Sequence, residues 1–185
     1  LFRSRQLLSQ NKYLCLGADL MFVDGIPFLV TMSRGIKFIT IEHSPTQTTS
    51  HLKQSLIRVI QLYGRAGFRI HTLLVDGQFE PLKKELMNVV VNTTASSEHV
   101  GDIERYLRVI KERARATISG LPYKRMPKPI LIELLAFVVM WLNAFPNKSG
   151  ISKKLSPREL VIRQKLDYKK HCKAQFGSYC EVDRK

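Results

Sequence analysis

The chain has 185 residues, 30 Lys+Arg against 15 Asp+Glu, a formal net charge of +15, and 44% hydrophobic residues. That much apolar side chain offsets the ordering entropy of folding, which excludes a disordered polyelectrolyte and puts the basic excess on one folded domain. Three cysteines (Cys15, Cys172, Cys180) with no CxxC spacing exclude a disulfide framework and a zinc finger, so a reducing, intracellular setting is expected.

The opening, LFRSRQLLSQNK, has no clean apolar stretch after a cationic end and no cleavage site, so no secretory signal is read there. It lacks an initial Met, and residues 1–10 are expected to be a linker from an upstream module. Residues 13–23 (YLCLGADLMFV) predict a strand, Asp24-Gly25 a hairpin turn, and residues 27–32 (PFLVTM) and 36–41 (IKFITI) two further strands of an antiparallel meander. Ser44-Pro45-Thr46-Gln47 has a capping-box pattern with Pro at the first helical position. Leu52, Leu56, Val59, Ile60 and Tyr63 then recur at helical spacing as far as Gly64 or Gly67, a helix of about five turns.

Residues 70–75 (IHTLLV) predict a strand buried on both faces, Phe79, Leu82 and Leu86 one face of a second short helix, and residues 89–91 (VVV) a fifth strand. Ile103, Leu107, Ile110 and Ala114 mark a third helix. Pro122, Pro127 and Pro129 break the chain before an apolar run at 130–142, which contains Glu133 and is too short to span a bilayer; it predicts a buried helix. The order β-β-β-α-β-α-β-α-α predicts an α/β fold with a five-stranded mixed sheet flanked by helices. Residues 11–145 form this core, and 146–185 are expected to be a basic C-terminal extension.

The charge is unevenly placed. Residues 1–104 hold 11 Lys/Arg against 9 Asp/Glu, and residues 105–185 hold 19 against 6. A one-sided cationic field faces a polyanion, with nucleic acid the leading partner and a membrane surface the rival. Three acids in the balanced part stand where chemistry can use them. Asp19 interrupts the apolar first strand, where an unpaired charge is costly. Asp76 ends the buried fourth strand, and Glu104 lies in the first turn of the third helix. The last two also have ordinary roles, as a turn residue and as a partner of the helix dipole. If strands one and four are neighbours and the third helix approaches the same edge, the three carboxylates make a hard-oxygen site for Mg²⁺ or Mn²⁺, suited to phosphoryl displacement.

Glu104 opens a stripe continued by Arg108, Lys111 and Arg115, with Arg105 beside it. Lys124, Arg125 and Lys128, among three prolines, read as an exposed basic linker. With Lys148, Lys153, Lys154, Lys169, Lys170 and Lys173 it adds sequence-independent DNA affinity, or else serves solubility alone. His171, Cys172 and Cys180 supply too few ligands for structural zinc. No nucleophile elbow and no phosphate-cradling Gly loop is present.

Residues 19–31 (DLMFVDGIPFLVT), 71–80 (HTLLVDGQFE) and 101–105 (GDIER), in this order, resemble the three catalytic segments of the integrase core of retroviruses and long-terminal-repeat retrotransposons, within the ribonuclease H-like fold. Trp141-Leu142-Asn143 with Pro146, then residues 155–160 (LSPREL) and Phe176-Gly177, are similar to downstream segments of copia-type integrases. The resemblance spans roughly residues 11–180 and implies Asp19, Asp76 and Glu104 as catalytic metal ligands. The 27 residues between Asp76 and Glu104 are fewer than the family's usual interval, and the usual Asn-Gly pair is replaced by residues 96–101 (SSEHVG). Glu98 and Asp102 therefore stand as alternatives for the third ligand.

What the resemblance implies is metal-dependent processing of an element's DNA ends and their strand transfer into target DNA, by a multimer, in the nucleus of a eukaryotic host and with no membrane partner. Two other readings stay open: another ribonuclease H-like nuclease, and a decayed copy that binds DNA without cutting it.

Overall fold

The computed structural model describes residues 2–86, 89–93, 100–123 and 125–178. A five-stranded sheet in the order β3-β2-β1-β4-β5 organises them, with β1 (Tyr13–Val23), β2 (Ile26–Ser33), β3 (Ile39–His43), β4 (Arg69–Leu74) and β5 (Val90–Asn92). β1 to β3 form the antiparallel meander, whereas β1–β4 and β4–β5 pair in parallel, so the sheet is mixed as expected.

β1 and β2 are covered on both faces, which is why they read as nearly continuous apolar runs. The pleat sorts β1: Leu14, Leu16, Ala18 and Leu20 enter one core with α2 (Thr49–Arg65), while Met21 enters the other, with α3 (Val100–Ile118) and α4 (Lys128–Leu142). Gly17 and Asp19 share the parity of Met21 and so face α3. At the hairpin tip Asp24 and Gly25 both take positive φ (49° and 74°), the geometry of a type I′ turn.

Several boundaries differ from the sequence expectation. α2 starts at Thr49, not Pro45, because Thr48 caps it, its side chain accepting from the His51 N–H. Ser44 instead ends the sheet: its N–H donates to the Pro27 carbonyl and its buried hydroxyl to the Thr46 carbonyl. Ile36 lies in the turn before β3, where Lys37 takes φ 62°. The second short helix is a 3-10 helix, Gly77–Lys84, with Pro81 inside it; Phe79 and Leu82, three apart, are its buried pair.

Residues at both ends are more structured than the words linker and extension suggest. α1 (Phe2–Gln10) packs Leu7 and Leu8 on the α2-side core. The segment after Pro146 forms α5 (Pro157–Val161), closed by a full capping box of Ser156 and Glu159, and α6 (Tyr168–His171). Leu160, Val161 and Leu166 are buried.

Edge strand β3 is closed by a side chain. Asn143, at the C-terminal cap of α4 and buried, donates from Nδ2 to the Ile39 carbonyl (2.7 Å), and its Oδ1 accepts from the Ile39 N–H (2.9 Å). One amide thus occupies backbone groups that would otherwise offer an open edge to another chain. No helix among the described residues is long and apolar enough to cross a membrane.

Candidate functional site

The β1–β4 register decides where the acids stand. The last parallel pair is Gly17 with Leu74. Asp19 lies two residues beyond Gly17, still inside β1 and paired with Val30 of β2, and Asp76 lies two beyond Leu74, just past the end of β4, so continuing the register brings the two to the same level on neighbouring chain segments. Asp76 is the N-cap residue of the 3-10 helix, yet its side chain makes no capping hydrogen bond. α3 crosses β1 near its middle: Ile103 lies over Gly17, at van der Waals distance from where a Cβ would be (3.7 Å), and Glu104 follows it. A glycine inside a strand signals such a close approach.

The three charges are felt together. Asp19 is half-buried, its Oδ1 accepting from the Leu20 N–H at 2.7 Å. Burial pushes its carboxyl up to about 6, opposed by the Leu20 hydrogen bond, reinforced by the negative charges of Asp76 and Glu104, and eased by Lys111. Because this lies above the ordinary Asp value of about 3.9, the folded form takes up a proton between about pH 4 and pH 6. Stability of the metal-free protein therefore falls as pH rises through that window. The shift corresponds to about 3 kcal/mol undamped, and solvent screening at a half-buried site reduces it to about 1 kcal/mol. Asp19→Asn is accordingly expected to raise the urea midpoint at pH 7 and leave it unchanged near pH 3; a lower midpoint at pH 7 would count against this electrostatic picture.

Carboxylate oxygens are the donors a hard divalent cation takes, and Asp19 has two acidic neighbours and no ion-pair partner among the described residues. In donor type and charge the three residues fit Mg²⁺ or Mn²⁺. No group of three His, Cys, Asp or Glu side chains stands at ligating distance among the described residues. The charges act on one another over a longer range than ligation requires.

Glu104 is exposed and lines a groove of about 290 Å³ with Leu107, Arg108, Lys111 and Arg115. The cationic stripe expected from helical spacing is thus one continuous surface running to the acid. Arg105 lies outside that lining; its guanidinium sits 5.8 Å over the Tyr106 ring. Arg125 and Lys128 are exposed ahead of and at the start of α4, while Lys124 lies outside the described residues.

Of the alternatives for the third acid, Glu98 lies outside the described residues. Asp102 is engaged elsewhere, 3.3 Å from the Lys37 ammonium and 3.6 Å from Arg34. Burial works against its charge, but Lys37, by charge and hydrogen bond, with Arg34 and Arg105, holds its carboxyl below the ordinary range. This pairing ties the turn before β3 to the first turn of α3, two residues from Glu104. Sequence reasoning missed it, because nothing in the local pattern marks Lys37, 65 positions away, as its buried partner.

No family model matches the sequence, and no curated protein does. Among solved structures the chain is similar to the catalytic core domain of BIV integrase, with a TM-score of 0.56 and 17% identity over 80% of this chain and 93% of that one. The likeness shows the fold alone: the chain shares with that domain a five-stranded mixed sheet and its flanking helices.

Proposed function

We propose that the chain is the catalytic core of a DNA integrase of the copia-type retrotransposon class, carried in a polyprotein and acting as a homo-oligomer on element ends and target DNA in the nucleus of its host. The observation that supports this most is the electrostatic coupling of three acids: Asp19, inside β1, feels the charges of Asp76, just past the end of the parallel neighbour β4, and of Glu104 on α3. A cationic groove runs from Glu104. The integrase-core fold and the copia-like segments after Trp141 favour this class over other nucleases of the same fold.

Asp19, Asp76 and Glu104 would hold Mg²⁺ or Mn²⁺, which when bound polarises phosphate oxygens and activates an attacking oxygen for in-line displacement. The reaction is two such displacements. Water first opens a phosphodiester at the element's DNA end and leaves a 3′-hydroxyl. That hydroxyl then attacks a target phosphodiester, one P–O bond forming as another breaks. Arg108, Lys111 and Arg115 bind and orient the phosphate backbone leading to the acids, with Arg105, Lys124, Arg125 and Lys128 extending the field.

A strand-transfer assay with Mg²⁺ on the purified chain tests the reading: joined products are expected, and DNA that is bound but never cut or joined would sink it in favour of a decayed copy. The groove has its own test. Arg108→Ala and Lys111→Ala are each expected to weaken duplex binding regardless of sequence and to lower the slope of log affinity against log salt by about one. An unchanged slope in both would remove these residues from the DNA track.

A further inference from the structure

At the end of the molecule formed by the C-terminal part of α4 and the segment after it, two aromatic rings lie within 28° of parallel to Trp141. Trp141 stacks with Phe145 (centroids 6.1 Å apart, 20° between planes) and with Tyr168 (6.3 Å, 28°). The base of this shelf is fixed: Phe137 meets Trp141 edge-on at 6.0 Å and Phe176 at 5.1 Å. Phe145 and Tyr168 remain 51% and 48% exposed. Two half-exposed rings packed on Trp141 leave apolar aromatic surface that a flat ligand can cover.

The charge around the shelf says which ligand. Residues 141–178 carry nine Lys/Arg and two acids, and both acids are committed. Glu159 accepts from the Ser156 N–H and hydroxyl, and Asp167 from the Lys169 N–H. Lys148, Lys165, Lys169, Lys170 and Lys173 are exposed and form no ion pair with a described residue. Beside Phe145, Lys148 and Lys153 line a small groove of about 290 Å³. Aromatic rings flanked by exposed lysines match a ligand with exposed bases on a phosphate backbone, whereas in a duplex the bases are already stacked and paired.

We infer that the Phe145–Trp141–Tyr168 shelf is a docking surface for single-stranded DNA, separate from the cationic groove of α3, with bases stacking on the exposed rings and phosphates held by the lysines of α6 and its flanks. The choice of DNA rests on the proposed integrase function; the single-strand chemistry rests on the shelf alone.

The chain's one tryptophan is Trp141, so its fluorescence reports from the shelf itself. The full chain, in EDTA, is titrated with an oligo-dT of about 12 nucleotides, a duplex of equal length and the matching oligo-rU. Oligo-dT is expected to quench Trp141 at lower concentration than the other two. Tyr168→Ala and Phe145→Ala should each weaken the oligo-dT titration about tenfold, with Tyr168→Phe, which keeps the π-face, within about twofold of wild type. Absence of quenching, equal binding of the duplex, or affinity indifferent to both alanine variants overturns the shelf, and tighter binding of oligo-rU overturns the assignment to DNA. Both rings are half exposed, so neither variant removes a core residue, and an unchanged melting temperature verifies that. With no divalent ion present, a chain inactive in strand transfer can still pass, and an active one can still fail.

Discussion

Asp76→Asn is expected to abolish strand transfer, by at least about a thousandfold, while leaving DNA affinity within a few-fold of wild type. The substitution keeps size and removes one negative oxygen ligand; a carboxylate holding a catalytic metal carries several kcal/mol of transition-state charge stabilisation, and about 1.4 kcal/mol is a factor of ten. Asp76 makes no capping hydrogen bond, so the fold loses little. A second readout separates a local effect from damage. Burial is the main cause of the raised Asp19 carboxyl and the Asp76 charge adds to it, so removing that charge should move the Asp19 titration down from about 6 while leaving it above the ordinary Asp range, observable by carboxyl-carbon NMR. Joining activity that survives in the variant would remove Asp76 from the site.

Asn143→Leu is expected to be the most destabilising single change outside the apolar core, by about 2–4 kcal/mol. It leaves the buried Ile39 N–H and carbonyl without partners on the outer side of edge strand β3, and each unsatisfied buried backbone group costs about 1–3 kcal/mol. The strand it releases is also an open template for another chain, so the variant should aggregate at lower denaturant than wild type. Urea unfolding followed by circular dichroism measures the loss; a shift below about 0.5 kcal/mol would mean that water replaces the amide at no cost.

Much of the fold was legible because local signals agreed. β1 came out at its full length from the run of apolar residues, and Asp24-Gly25 marked a turn that needs positive φ at both positions. The start of α2 was not, because Ser44 and Thr48 both have cap chemistry; the choice fell to Thr48 once Ser44 was used by the sheet through the Pro27 carbonyl. Phe79, Leu82 and Leu86 suit either helix type, and Pro81 tipped the segment to 3-10.

The candidate site was legible as residue types and order, since a carboxylate inside an apolar strand is unusual in itself. Its geometry was not, because it depends on the long-range pairing of Gly17 with Leu74 and on Ile103 lying against Gly17. Asp102, an alternative from sequence, is paired with Lys37 and Arg34, a partnership that no local pattern in the sequence marks.

Central to the proposed function is one metal site shared by Asp19, Asp76 and Glu104, and a crystal structure of the chain with Mn²⁺, read by its anomalous scattering, tests this most directly. The predicted result is a peak between the three carboxylates with oxygen ligands about 2.1 Å away, lost in Asp76→Asn. Peaks elsewhere only, or carboxylates that stay apart at saturating Mn²⁺, would contradict it.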